Sequence, residues 1–270
     1  MYKISKNLFF IVSFFIAGFV IPLFASSGEQ TVGIVIMHGK GGSPNKHVYD
    51  LARKMKTNGY LVANIEMAWS GDRDYDVSVI DAESEVETAL SSLREKGAKK
   101  VFLAGHSQGG TFALHFAGKH RVDGIICIAP GGNVGSKKFR KKLGSSVKRA
   151  RKLVNEGKGN ETIRLKDFEG KKGTYSIKTT PELYLTWFDP EGAMNTRRAA
   201  RNANQEIPIL WLVAKRDYPG LRKGNMRLFN ILPRNPHTRL FEPNSDHRGA
   251  PSASANEIVR WISEVVGGNR

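Results

Sequence analysis

The sequence predicts an α/β protein with a doubly wound, mostly parallel sheet. Short apolar runs alternate with amphipathic segments along most of the chain, and the alternation lapses once, over residues 133–205. Expected strands are 32–37, 61–66, 99–104, 123–129, 207–213 and 238–242, and expected helices are 46–57, 78–96, 109–119, 221–231 and 254–266. Such alternation covers both faces of a parallel sheet with helices. The 270 residues are enough to bury one full core.

The strands are predicted from their apolar composition and the helices from apolar residues three or four positions apart. Helix 78–96 is typical, and its periodic residues are Val79, Ala82, Val86, Leu90 and Leu93. Strand 123–129 contains the single cysteine, Cys127, which is expected in the core. One cysteine cannot form an intramolecular disulfide, and a cysteine-based metal site is excluded.

The most informative segment joins the third strand to the following helix. It reads Gly105-His106-Ser107-Gln108-Gly109, a G-x-S-x-G pattern between an apolar strand and an apolar helix. This context is typical of a nucleophile elbow, a tight turn that presents a serine hydroxyl at the edge of a sheet. The helix N-terminus next to Ser107 favours developing negative charge. Ser107 is therefore the expected nucleophile.

The chain order of the other motifs resembles that of the α/β-hydrolase superfamily, which is oxyanion loop, nucleophile, acid, histidine. Strand 32–37 runs into His38-Gly39-Lys40-Gly41-Gly42-Ser43, similar to the His-Gly oxyanion loop of that superfamily. The resemblance implies that the backbone N–H groups of Lys40 and Gln108 point at the substrate oxygen. His38 itself is expected to be a structural hydrogen-bonding residue and not a base.

The resemblance also assigns the acid and the base. Asp217 follows strand 207–213, where the superfamily keeps its carboxylate, and His247 lies in the polar loop after strand 238–242. His247 is expected to take the proton of Ser107 while Asp217 orients its imidazole ring. Two other acids remain open. Asp189 lies in the aromatic segment 184–192 and could supply an acid from an earlier strand, as in some members of the superfamily. Asp246 is adjacent to the histidine, so its side chain should diverge from the ring.

Residues 133–205 stand where α/β-hydrolases carry a cap over the active site, and a helical cap is expected there. Trp187 lies in its aromatic segment 184–192, which is expected either near the active site or as an anchor of the cap to the body. Trp69, Trp187 and Tyr218 are the expected lining of the substrate pocket.

The N-terminus predicts export. Lys3 and Lys6 precede an apolar run over residues 8–24, and small residues follow it. Residues 1–25 are therefore expected to be a signal peptide or an N-terminal membrane anchor, and residues 28–270 the hydrolase domain. The absence of disulfides and this signal together suggest a bacterial periplasmic or secreted protein.

The chain is strongly basic, with a formal net charge of +17. Much of this charge lies in residues 137–152, where apolar residues at helical spacing leave one face apolar and the other basic. Such a helix could bind an anionic membrane or envelope polymer, or its apolar face could pack on the body. Packing is the favoured interpretation. No nucleic-acid motif accompanies the charge, so a nucleic-acid partner is not expected.

The sequence therefore predicts an exported serine hydrolase that cleaves a carboxylic ester through an acyl-enzyme intermediate, without a cofactor or metal. Ser107 argues against superfamily members whose nucleophile is a carboxylate or a cysteine. An acyltransferase, a thioesterase or a peptidase would use the same residues. A different class of protein, a surface-binding protein on a non-catalytic hydrolase scaffold, is the alternative.

Overall fold

The computed structural model describes residues 31–170 and 172–267. Its central sheet has six strands, all parallel, in the order β2-β1-β3-β4-β7-β8. These strands are β1 (Val32–Met37), β2 (Leu61–Ile65), β3 (Lys100–His106), β4 (Gly124–Ile128), β7 (Ile209–Leu212) and β8 (Arg239–Phe241). The predicted doubly wound parallel sheet is confirmed, and the six predicted strands agree with it to within two residues at each end.

Helices cover both faces of the sheet. The body helices are α1 (Tyr49–Thr57), α2 (Val79–Glu95), α3 (Gln108–Ala117), α7 (Pro219–Phe229), α8 (Ala250–Ala253) and α9 (Ala255–Gly267). Helices α1, α8 and α9 pack on one face, and α2 and α3 pack on the other. Because side chains alternate along a strand, β1 and its neighbours supply both cores. Ile34 and Ile36 pack in the core under α1, α8 and α9, and Val35 and Met37 pack in the core under α2 and α3.

The strand order reverses beside β1, which has β2 on one side and β3 on the other. In open α/β sheets, ligands bind outside the carboxyl ends of the strands at such a switch point. The loops that follow β1 and β3 are the His38–Ser43 segment and the Ser107 turn. The topology therefore brings the two motifs of the sequence to one edge.

Residues 133–205 form a separate layer over the face that carries α2 and α3, called the cap below. It contains α4 (Lys137–Asn155), α5 (Pro181–Phe188) and α6 (Thr196–Arg201), as the predicted helical insertion requires. It also contains an antiparallel hairpin of β5 (Ile163–Glu169) and β6 (Gly173–Thr179), which was not predicted. The hairpin is its own two-stranded sheet and does not join the central one.

Helix α4 settles one open alternative. Its apolar face is covered, because Leu143, Val147 and Ala150 are buried and the Phe139 ring packs on Phe168. The packed interpretation is confirmed, and insertion of this face into a membrane is excluded. The basic face of α4 points outward.

The predicted signal peptide or anchor, residues 1–25, lies outside the described residues. In the part of the chain that the structure covers, no helix combines the length and hydrophobicity needed to cross a membrane. Cys127 is fully buried in β4, as predicted.

Candidate active site

Ser107 sits on a strained turn between β3 and α3. Its φ is 53° and its ψ is −113°, a backbone conformation that side chains rarely adopt. The turn is held from both sides, because Ser107 N–H donates to Ile128 O at 2.8 Å and Gly131 N–H donates to Ser107 O at 2.8 Å. A Cβ on Gly105 would lie 2.1 Å from the backbone of Gly109, so only glycine allows this approach of helix to strand. The predicted nucleophile elbow is present in the structure.

His247 bridges Ser107 and Asp217. Its Nε2 lies 3.0 Å from Ser107 Oγ, and its Nδ1 lies 3.0 Å and 3.1 Å from the two carboxylate oxygens of Asp217. A carboxylate can only accept, so Nδ1 carries the ring proton and Nε2 is left as the acceptor for the serine hydroxyl. The structure thus brings together the three residues that the sequence predicted.

Asp217 is held rigidly in the loop after β7. Its side chain is fully buried, and Tyr218 N–H donates to its Oδ1 at 2.6 Å. The two other acids have different partners. Asp246 accepts from Gly249 N–H at 2.8 Å, and Asp189 accepts from Arg151 at 2.8 Å on the surface of the cap. Of the three acids considered, Asp217 is the one that contacts His247.

His106 is a site residue that sequence reasoning missed. Its Nε2–H donates to the carbonyl oxygen of His247 at 2.9 Å, and its ring centroid lies 5.0 Å from that of His247. Burial, and next the nearby His247, lower the pKa of His106 to about 3. His106 is therefore neutral at physiological pH. The position of His106 inside the G-x-S-x-G pattern placed it next to the nucleophile. The pattern alone does not show which residue its side chain contacts.

The loop after β1 approaches Ser107 closely. A Cβ on Gly39 would lie 3.1 Å from Ser107 Cβ, so the backbone at this point runs beside the nucleophile. His38 shapes the loop, because its Nδ1–H donates to Gly39 O at 2.8 Å and its Nε2 accepts from Met67 N–H at 3.0 Å. Burial lowers the pKa of His38, which favours this neutral form. The structural role predicted for His38 is confirmed.

Lys40 and Gln108, the predicted oxyanion residues, lie on the two loops that meet at Ser107. Lys40 follows Gly39, and Gln108 is the first residue of α3. Across residues 31–170 and 172–267, neither backbone N–H donates to a protein acceptor. The side chains of both residues are buried or nearly so: Lys40 reaches Asp167 of the cap, and Gln108 reaches the Tyr75 hydroxyl.

Two of the three predicted pocket residues do not line an opening. Trp69 and Trp187 are each 1% exposed, and their rings contact each other at 5.7 Å between centroids. Their indole N–H groups donate to His38 O and to Val77 O. They pack the cap onto the body, so the pocket assignment of Trp69 and Trp187 is corrected. Tyr218 is 37% exposed, with its ring 5.3 Å from that of His247, and stands at the accessible side of the site.

Two basic residues, Arg248 and Lys46, and the acidic Asp246 lie near His47 at the edge of the site. The ring of His47 makes an edge-to-face contact with that of His106. Burial lowers the pKa of His47 most, and the nearby Arg248 and Lys46 lower it further. Among the described residues, no three His, Cys, Asp or Glu side chains are grouped so that they could hold a metal ion. The site offers a serine, a base, a carboxylate and backbone donors.

Solved structures share this fold at low sequence identity. A thermostable carboxyl esterase from Bacillus coagulans is 15% identical with a TM-score of 0.61, over 88% of this chain and 91% of that one. A monoacylglycerol lipase from Paleococcus ferrophilus is 19% identical with a TM-score of 0.58, over 86% and 94%. Est1E from Butyrivibrio proteoclasticus, solved with ferulic acid bound, is 14% identical with a TM-score of 0.59, over 90% and 92%. These likenesses establish the fold.

Sequence comparison gives the family. The esterase EstD of Thermotoga maritima is 28% identical over 109 residues, which are 36% of this chain and 26% of that protein. The match therefore spans about a quarter of the length of that relative. The family model described as serine aminopeptidase, S33, matches residues 28–248, which include the Ser107 elbow, Asp217 and His247. The chain belongs to this S33 family and is a serine hydrolase with the α/β-hydrolase fold.

Proposed function

We propose that this enzyme hydrolyses carboxylic esters through the triad Ser107–His247–Asp217 and an acyl-enzyme intermediate. The observation that carries the proposal is the position of His247, within hydrogen-bond distance of Ser107 Oγ on one side and of a fully buried carboxylate on the other. A hydroxyl is a weak nucleophile at neutral pH, and a base at this distance is what it requires.

In the first half of the reaction, Ser107 Oγ attacks the ester carbonyl carbon while His247 Nε2 takes its proton. The negative charge that forms on the carbonyl oxygen faces the N–H groups of Lys40 and Gln108, which have no protein acceptor in the described chain. His247 then donates its proton to the leaving alcohol, and the acyl group stays on Ser107. In the second half, His247 activates a water that releases the acid and restores the serine.

An ester fits the site better than a peptide with a free N-terminus. An aminopeptidase needs an acidic group for the substrate ammonium, whereas the carboxylates at this site already have partners. Asp217 pairs with His247, Asp167 of the cap pairs with Lys40, and Asp246 accepts from Gly249 N–H. Arg248 and Lys46 add positive charge beside the site, next to His47. The relatives described above, two esterases and a lipase, support the same reaction class.

A short acyl group is the best match to the interior. The space between cap and body is occupied by the buried rings of Tyr75, Trp187 and Phe188, which contact one another. A close-packed interior has no room for a long chain unless side chains are displaced. We infer that activity falls as the acyl chain lengthens.

The test is a series of p-nitrophenyl esters, from acetyl to dodecanoyl, with leucine p-nitroanilide as the aminopeptidase substrate. We expect turnover of the short esters by the wild type, none by Ser107→Ala, and little with the anilide. A fluorophosphonate probe should label the wild type and not the variant. Absence of both hydrolysis and labelling would leave a non-catalytic binding protein, and preferential transfer to an added alcohol or thiol would indicate an acyltransferase.

We also propose that the enzyme acts outside the cytoplasm, next to an anionic membrane or envelope polymer. The apolar run at residues 8–24 supports export, and the outward basic face of α4 supports the partner. Fractionation of cells that produce the full chain, compared with a chain lacking residues 1–25, tests the location.

A further inference from the structure

A buried ion pair joins the cap to the oxyanion loop. Lys40 Nζ lies 2.5 Å from Asp167 Oδ1, and the two side chains are 9% and 0% exposed. Asp167 belongs to β5 of the cap hairpin, whereas Lys40 follows β1 of the central sheet. The Lys40 ammonium also faces the rings of Phe139 and Phe188, at 5.4 and 5.5 Å from their centroids. These three partners of the ammonium are all cap residues.

The same carboxylate reaches the second oxyanion residue through Tyr75. The Tyr75 hydroxyl donates to Asp167 Oδ2 at 3.1 Å, and the side-chain amide of Gln108 donates to the Tyr75 hydroxyl oxygen at 3.2 Å. Tyr75 is 2% exposed and its φ is 62°, so this contact is made from a strained backbone. The Lys40 and Gln108 side chains are thus both linked to the Asp167 carboxylate. Lys40 contacts it directly, and Gln108 contacts it through the Tyr75 hydroxyl.

Asp167 is itself fixed by further donors. Tyr175 O–H donates to Oδ2 at 2.8 Å, and Phe168 N–H donates to Oδ1 at 2.6 Å. Burial and the neighbouring Asp167 raise the pKa of both Tyr75 and Tyr175, so both hydroxyls keep their protons and remain donors. The carboxylate is a rigid acceptor and not a mobile surface group.

Stability alone gives little reason for this arrangement. Removing two charges from water costs several kcal/mol per ion, and apolar residues of similar volume are often as stabilising or more so. What the ion pair does supply is a fixed position for the side chains of two residues whose backbone N–H groups are the proposed oxyanion donors. Small displacements of such donors are costly, because stabilisation of an oxyanion depends on donors already held in place.

We propose that Asp167 is a positioning residue of the reaction: from the cap, it holds the Lys40 and Gln108 side chains so that their backbone N–H groups point at the substrate oxygen. The inference rests on the proposed ester hydrolysis. In this arrangement the cap covers the site and also positions the groups that stabilise the oxyanion. No cap atom needs to contact the reacting carbonyl.

The experiment compares Asp167→Asn, Lys40→Met and the double variant Lys40→Met/Asp167→Asn. Each single variant leaves one buried charge unpaired and should lower the melting temperature. The double variant removes both charges, so its melting temperature should recover, while its kcat on p-nitrophenyl acetate should stay at least about tenfold below that of the wild type. KM should change by less than about twofold, since the contact acts on the transition state.

Affinity for a transition-state analogue separates positioning from simple structural support. A trifluoromethyl ketone forms an oxyanion on Ser107, so its inhibition constant should rise in proportion to the fall in kcat/KM in the double variant. Asp189→Asn is the matched control, because it breaks the exposed Arg151–Asp189 pair of the same cap. It should leave kcat, KM and the inhibition constant unchanged.

The outcomes are distinct. A double variant with recovered stability, wild-type kcat and wild-type inhibitor affinity would overturn the positioning role and leave the proposed function intact. A wild type that neither hydrolyses esters nor reacts with the fluorophosphonate would overturn the proposed function, and the inference with it.

Discussion

His106 Nε2–H donates to the backbone carbonyl oxygen of His247 at 2.9 Å. The residue that precedes the nucleophile thus holds the backbone of the base. Two residues of the elbow therefore hold His247: Ser107 contacts its ring through Oγ, and His106 contacts its backbone. The second contact requires a buried ring that stays neutral, since His106 Nδ1 is buried without a hydrogen-bond partner among the described residues. A proton on that nitrogen would have no acceptor.

This burial predicts a pH dependence of folding. The pKa of His106 falls from 6.5 to about 3 on folding, so below pH 6.5 the unfolded chain binds a proton that the folded chain does not. Stability should therefore decrease as the pH falls from about 6.5 towards 3, by at most about 1.4 kcal/mol per pH unit from this residue. Urea unfolding of the wild type and of His106→Gln, carried out from pH 8 to pH 5, measures this change in the free energy of unfolding.

The glutamine amide can still donate to His247 O but does not titrate. We therefore expect His106→Gln to be less stable than the wild type at pH 8, with a smaller loss between pH 7 and pH 5. Equal losses in the two proteins over this range would show that His106 is not the group responsible.

Three carboxylates can be ranked by substitution. Asp217→Asn should lower kcat by about 10³–10⁴, because His247 would lose the acceptor that sets its tautomer. Asp246→Asn should have a much smaller effect, since Asp246 accepts from Gly249 N–H and does not contact the ring in the described geometry. Steady-state kinetics on one short ester measures these two variants and Asp189→Asn, and a larger effect at Asp246 or Asp189 would contradict the assignment of the acid.

Two glycines give opposite expectations for the same substitution. Gly105→Ala would place a Cβ 2.1 Å from backbone atoms of Gly109, so the variant should be inactive and should unfold at a much lower temperature. Gly144 lies on the exposed side of α4, and a Cβ added there would meet no atom within 4 Å. Gly144→Ala should raise the free energy of unfolding by about 1 kcal/mol and leave ester hydrolysis unchanged.

The basic face of α4 predicts salt-sensitive binding to anionic surfaces. Lysines at a membrane surface contribute about 1 kcal/mol each, and salt screens them. Vesicle co-sedimentation of a chain lacking residues 1–25 should therefore show binding to anionic vesicles that weakens with salt. Replacing Lys137, Lys138, Lys141 and Lys142 with Gln should remove most of it, without changing hydrolysis of a neutral short ester.

The matched control replaces four exposed lysines elsewhere: Lys54, Lys56, Lys96 and Lys99. It changes the net charge equally and leaves α4 intact, so it should bind nearly as the wild type does. Equal losses in the two variants would show that net charge is responsible and that α4 is no specific site. Equal binding to neutral and anionic vesicles, or to neither, would contradict the proposed partner.

The central sheet could be predicted from the sequence because its strands are buried on both faces and appear as continuous apolar runs. The segments after those strands then placed Ser107, Asp217 and His247 at one edge, since the carboxyl ends of parallel strands meet there. Local pattern was enough because Ser107 directly follows β3, and Asp217 and His247 lie in the loops that come after β7 and β8.

The cap contacts were beyond this reasoning. Strand β5 alternates apolar and charged residues only as far as Lys166, and the next residue, Asp167, is charged and buried. The pairing of β5 with β6 is a contact between segments that are each only partly buried. The buried charge of Asp167 could not be expected, because its partner Lys40 lies 127 positions away in the chain. Trp69 and Trp187 were placed in a pocket because aromatic residues suit both pockets and cores, and the sequence does not distinguish the two.

The register of the cap hairpin has a consequence for the divergence of this enzyme. Leu165 and Asp167 point inward from β5 while Arg164 and Lys166 point outward, and Asp167 pairs with Tyr175 across the ladder. Inserting one residue before Lys166 would turn that lysine towards Lys40, and deleting one residue would place Phe168 there. Either change would turn the Asp167 carboxylate towards water. Caps tolerate changes of length in many loops, but here such a change would have to occur in pairs of residues or together with a substitution at position 40. Exchange of this hairpin between relatives should therefore succeed only when position 40 is exchanged with it.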